Sequence, residues 1–197
     1  MAIDRSPILK KCRSLGIEPG FLGVAKKSRK KPPMSRKKVS EYGLQMKEKQ
    51  KAKFVYGVLE RQFKNYYNKA SKKKGIVGEN LLIMLEYRLD NVVFRMGFAR
   101  TRREARQVVG HKLVTVNGKI VNIASYQVKP GDVIAVKESM RTSQRFKDIL
   151  SETEGRRSPA WLDSDIANLQ GTIISQPARD QIDTPVNETM IVELYSK

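Results

Sequence analysis

The sequence has one cysteine, one histidine and one tryptophan, and about half as many acidic residues as basic ones. With Cys12 alone there is no intramolecular disulfide and no cysteine-only zinc cluster, which suits a reducing compartment; Cys12 reads as an ordinary thiol. Paired-cysteine sites, the HExxH arrangement and glycine-rich phosphate loops are all missing, so neither a metal, a cofactor nor catalysis is expected. The longest wholly apolar run, Leu81–Leu85, is far too short to span a bilayer, and no segment joins a wide apolar face to a lysine-rich one. The opening residues MAIDRSPILKKCRS lack the apolar centre of a signal peptide. Their basic, serine-containing character has something of an organellar presequence, but Asp4 argues against that, and a cytoplasmic location is expected.

What the chain has in excess is positive charge. Its 197 residues, enough for one or two domains, carry 39 Lys and Arg against 20 Asp and Glu, a formal charge of +19. That exceeds what solubility requires and is costly through self-repulsion unless an anionic partner relieves it. The excess is uneven, with 22 basic and 5 acidic residues in 1–75, 13 and 7 in 76–150, and 4 and 8 in 151–197. The basic end is therefore expected to meet a polyanion, and the mildly acidic tail to face elsewhere. With a membrane disfavoured, the polyanion expected is nucleic acid.

Residues 1–40 include AKKSRKKPPMSRKKVS, where proline and clustered charge oppose both helix and core, so this reads as an arm that orders on its partner. From Ser40, a plausible N-cap, the pattern turns helical, with Leu44, Phe54, Val55, Val58, Leu59 and Phe63 on a buried face and a break near residue 50. A further helix is expected from GEN (79–80 and the residue before) to Gly97, which suits a left-handed helix closure. Thr101 and Glu104 then have capping-box spacing, and at 100° per residue Ala105, Val108 and Val109 fill one arc while Arg102, Arg103 and Arg106 fill the next. Six arginines lie within residues 88–109, so the aliphatic side chains would fix a helix from which guanidiniums project. Asn117-Gly118 marks a hairpin between LVTV and KIVN, and SYQV with VIAV suggests another strand pair. His111, after the helix, could serve a dipole contact or an RNA contact equally well. ESMRTSQRFKDILSE reads as a polar linker or helix, and Trp161 as the anchor of the tail. Thr184-Pro185 reads as the cap of a final helix, with a strand as the alternative.

LEYRLDNVVFRMGFARTRREARQVV, KLVTVNGKIV and YQVKPGDVI together resemble the S4 RNA-binding domain. With SEYGLQMKEKQKAKFVYGVLERQFKNYY, the GENLL helix and the ending IVELYSK, the chain from about residue 40 to 197 is similar to the bacterial-type small-subunit ribosomal protein S4 family, uS4. The resemblance implies an α+β fold: a basic arm (1–40), a helical rRNA-binding domain (41–87 and 160–197) completed by the C-terminal tail, and an inserted S4 module with its following linker (88–159). That module would be two helices packed on a small, mainly antiparallel sheet. The family implies direct binding of 16S rRNA, early assembly of the 5′ domain, and a place in the small subunit of a bacterial ribosome beside ribosomal proteins S5 and S3. It also implies nearness to the path by which mRNA enters; Arg36, Lys37 and Lys38 are the matching positions. The zinc-binding cysteine cluster of some members is absent here, and KKSRKKPPMS replaces their glycine- and histidine-containing loop.

RNA contacts are expected in the module from Arg95, Arg100, Thr101, Arg102, Arg103, Arg106, Gln107, His111, Lys112 and Lys119. In the first domain they are expected from Tyr42, Gln45, Lys49, Gln50, Lys53, Arg61 and Lys64. Recognition would be of RNA shape, through phosphates. Reversing charge at both Arg102 and Arg106 should leave the fold intact and weaken binding more than tenfold, on the order of a lost phosphate-contact pair. S4 modules also accompany RNA-modifying enzymes and stand-alone ribosome-associated factors. An enzyme would need a catalytic domain, for which residues 1–87 are too short and basic; a factor would lack the matching first domain and IVELYSK ending. Repression of its own operon is a further reading.

Overall fold

A computed structural model describes residues 6–26, 28, 30, 39–153 and 155–196. These fall into two units: the described residues up to Leu82 together with those from Asp183 onward, and residues 83–182.

The first unit is helical. Helix α1 (Ile8–Leu15) closes at Gly16 and is followed by a 3-10 turn at Pro19–Leu22. Cys12 is buried, which pushes its thiol pKa up. Helix α2 (Glu41–Tyr56) starts where sequence places it, Ser40 Oγ accepting the amide of Gly43 at 3.2 Å. It runs unbroken through residue 50 and stops at Gly57, whose φ of 62° lets its amide reach back to Lys53 and Phe54. Its buried face comprises Gln45, Lys49, Ala52, Val55 and Tyr56, while Leu44 stays exposed, as does Leu59 beyond the helix, against expectation. A face that includes Gln45 and Lys49 escapes a search for apolar periodicity; it is stable because Glu41, Glu60 and Glu193 accept from them. Helix α3 (Glu60–Ala70) buries Phe63, Tyr66 and Ala70. The C-terminal helix, here named α9 (Glu188–Ser196), packs on α2. Its cap is Asn187, whose Oδ1 accepts the amides of Thr189 and Met190, whereas the hydroxyl of Thr184 bonds Tyr56 Oη at 2.9 Å in the interior.

Helix α4 (Val77–Glu86) leads into the second unit, where α5 (Leu89–Arg95) follows after a break at Arg88. One continuous helix to Gly97 is expected from sequence. It is interrupted because the amides of Leu89 and Asp90 donate to the carbonyls of Tyr126 and Ala124 instead of continuing the helical ladder. That same contact explains SYQV: it does not pair with VIAV but bridges the break through Arg88 and Gln127. Gly97, at φ 84°, closes α5 as expected. Helix α6 (Arg102–Gly110) is capped by Thr101 Oγ1, which accepts the Glu104 amide at 3.2 Å; Glu104 returns its carboxylate to the amide of Arg100, one residue before the cap.

The sheet has the order β2-β1-β3-β5-β4, with every neighbouring pair antiparallel. Strands β1 (Val114–Val116) and β2 (Lys119–Ile120) flank Asn117-Gly118, both at positive φ, as the hairpin requires. Strand β3 (Val133–Val136) pairs Ile134 with Val116 on one side and with Gly171 on the other. Strands β4 (Leu162–Asp165) and β5 (Gln170–Ile173) extend the sheet, so this part of 160–182 lies in the second unit and not in the helical domain to which 160–197 is assigned above. Helices α7 (Glu138–Arg141) and α8 (Gln144–Thr153) precede them. The core joins Leu89, Val92, Val93, Met96 and Phe98 to Ala105, Val108 and Val109, the sheet aliphatics, Phe146, Ile149 and Trp161. The architecture is α+β, as expected.

Candidate RNA-binding surfaces

In the second unit the arginines divide into two sets. Arg88, Arg95, Arg102 and Arg106 are held inward by side-chain partners. Arg95 donates to Glu86 through Nε (3.2 Å) and Nη2 (2.8 Å), in a pair that is almost wholly buried. The Nε of Arg102 donates to Asn91 Oδ1 at 2.8 Å, and its guanidinium lies 4.3 Å from the centre of the Phe94 ring. Arg106 donates through Nε (3.0 Å) and Nη2 (2.9 Å) to Asp90 Oδ2, and Arg88 grips the same carboxylate at 3.0 and 2.7 Å. Sequence puts Arg102, Arg103 and Arg106 on one basic arc beside the core. The arc straddles the boundary, however, and only Arg103 is exposed. Charge reversal at Arg102 and Arg106 is therefore not neutral for the fold, because it would set new carboxylates against Asp90 and Asn91.

A second set faces outward. Arg103 and Gln107 lie four residues apart on the exposed side of α6; His111, which caps its C-terminal end, and Lys112 after it are exposed as well. Lys112 sits at φ 61°, a left-handed conformation uncommon outside glycine. Half-exposed Arg100 pairs with Glu152 at 3.0 Å, an ion pair that costs little to exchange for another anion. Thr101 is occupied as the helix cap, and Lys119 is exposed in β2. Sequence reasoning missed Arg145 of α8, whose Nη2 lies 3.5 Å from Gln107 Oε1 and 3.9 Å from Glu104. It also missed Arg156, which donates to the carbonyls of Phe94, Ala99 and Arg100 and lies 4.5 Å from the Phe94 ring centre. Burial and the neighbouring Arg95 charge pull Arg156 below the ordinary guanidinium range. Both stand some forty to sixty residues from the arginine cluster in the chain, and no local pattern marks them.

In the first unit, Tyr42, Arg61 and Lys64 are exposed. Asn65, Asn68, Lys69 and Lys72 share the exposed side of α3 or the turn after it, with Lys73 and Lys74 beside them. Gln45 and Lys49 are buried: Gln45 donates to Glu41 and Glu193, and Lys49 to Glu60 at 3.0 Å. Lys53 is 2.7 Å from Glu60, with half-buried Gln50 near its amine. Burial raises the Glu60 pKa, but bonds from Lys53, Lys49 and Tyr195 outweigh it and bring the value to about 2. Tyr195 is pushed up by burial and by the Glu60 carboxylate, and its ring stacks on Tyr67 at 4.6 Å. These residues fasten α9 to α2 and α3. Arg36, Lys37 and Lys38 lie outside the described residues.

Fixed cations and amides on a stiff helix bind phosphate oxygens and the 2′-hydroxyls of folded RNA through their geometry, without a reacting centre. Two families match the chain: the S4 domain over residues 88–134, and the ribosomal protein S4/S9 N-terminal domain over residues 5–86. The chain is 61% identical over 197 residues to small ribosomal subunit protein uS4 of Agathobacter rectalis, with all of both chains covered. It is 64% identical over 198 residues to its counterpart in Lachnoclostridium phytofermentans, and 48% over 198 residues to that of Fusobacterium nucleatum, again at full coverage of both.

Proposed function

The chain belongs to the uS4 family, whose members are structural proteins and not enzymes, and from that premise we propose that it binds 16S-type rRNA directly within the small ribosomal subunit and nucleates early assembly of the 5′ domain. The observation that carries this is the outward row Arg103, Gln107 and His111 with Lys112, displayed by a helix whose other side is locked by apolar contacts and ion pairs. A net charge of +19 supplies the long-range attraction. The exposed basic face of α3 is a second contact, and Arg36, Lys37 and Lys38 are the positions proposed to lie beside the path of incoming mRNA, near proteins S5 and S3.

In a filter-binding titration with a transcript of the small-subunit rRNA 5′ domain, Arg103→Glu with Lys112→Glu is expected to weaken binding by more than about tenfold, since each removes a phosphate contact. Unchanged affinity would refute the assignment. Sedimentation tests membership of the particle: a structural component stays with salt-washed small subunits, and a stand-alone factor washes off.

A further inference from the structure

Two carboxylates, Glu86 and Asp90, are buried four positions apart across the break between α4 and α5. Asp90 takes both Arg88 and Arg106. Glu86 takes Arg95 directly and Asn91 Nδ2 at 2.6 Å, and the same amide group's oxygen receives Arg102. Two adjacent residues of α5, Asp90 and Asn91, thus each hold one of two arginines spaced a turn apart on α6. Attachment alone does not need them, because Ala105, Val108 and Val109 already pack α6 into the core. Apolar packing is non-directional, however, whereas a guanidinium fork on a fixed carboxylate sets rotation about the helix axis. That rotation decides which way Arg103, Gln107 and His111 point.

We propose that Asp90, backed by Asn91 and Glu86, is a positioning residue for RNA binding: by holding Arg106 and Arg102 it sets the angle at which α6 presents its exposed row. This rests on the reading that the row binds rRNA. Asp90 itself meets no RNA, being closed in by its two arginines and by the backbone of α5.

The sign of one substitution separates positioning from simple electrostatics. Asp90→Asn raises the net charge by one, which by charge alone tightens binding to a polyanion. Positioning demands the opposite. Full-length Asp90→Asn, titrated with the 5′ domain transcript at a temperature where circular dichroism shows it folded, is expected to bind about fivefold more weakly, within the coupling range of contacting residues. Equal or tighter binding overturns the proposal. Should that variant not fold, Arg106→Lys keeps the charge but loses the fork and is likewise expected to bind more weakly; wild-type affinity there overturns it as well. Arg103→Glu in the same titration keeps the two ideas apart. If it changes nothing, the RNA surface itself is wrong; if it weakens binding while Asp90→Asn and Arg106→Lys do not, only the positioning role falls.

Discussion

Arg103 and Arg106 are less than one helical turn apart and chemically identical, yet they do different work. Arg106 is drawn inward onto a buried carboxylate whereas Arg103 lies on the exposed surface, so substitutions at the two should separate stability from binding. Arg106→Glu replaces one of the two cations on buried Asp90 with a second carboxylate and is expected to cost about 3–5 kcal/mol in urea unfolding. Arg103→Glu should stay within about 0.5 kcal/mol, as exposed substitutions do, while RNA binding falls. Glu60 offers a pH test at the same scale. Its folded pKa is depressed, from 4.5 to about 2, so the stability it contributes is fully present above pH 4.5 and is lost as pH falls through about 2. Glu60→Gln should therefore flatten the stability profile across that window and leave neutral pH as the condition of greatest difference. Because half of the Glu60 side chain is exposed, solvent screening keeps the effect modest. Urea midpoints measured from pH 6 to pH 2 check this; parallel profiles for the two proteins would contradict it.

At the level of elements, local signals held where the chain supplies its own partners. Ser40, Thr101, Gly97 and Asn117-Gly118 act within a few residues of themselves, and each marks the boundary that its chemistry dictates. Thr101→Ala should cost about 0.5–2 kcal/mol by loss of the α6 cap, and Thr101→Ser should restore most of it. Thermal melts that show no difference would mean that Glu104 and the preceding turn hold the end of the helix unaided. Strand β5 carries a different constraint. A Cβ on Gly171 would lie 2.7 Å from the carbonyl oxygen of Asp163 and 3.0 Å from Met96 Sδ. Since the strand backbone cannot yield as a side-chain tip can, Gly171→Ala is expected to destabilise by about 1–3 kcal/mol in the same melts.

At the scale of the whole molecule, uneven charge governs behaviour. If about six to ten phosphates are contacted, affinity for rRNA should fall by about three to five decades between 50 and 200 mM salt, taking the duplex DNA slope as a guide. A shallow slope would mean that charge contributes little and that the exposed cations are only a solvated surface. Family, fold class and a polyanionic partner were all legible in the linear chain, because net charge, hydrophobic spacing, caps and turn residues are properties of composition and near neighbours. The division of the arginines was not. Arg102 and Arg106 became internal brackets only once folding brought Asn91 and Asp90 to them, and Gln45 and Lys49 turned inward only because Glu193 and Glu60 arrived from elsewhere in the chain. Burying a cation is tolerated only when an opposite charge or a directed acceptor is already in place. That condition depends on contacts between distant segments, so tertiary structure alone decided which cations are left exposed on the surface.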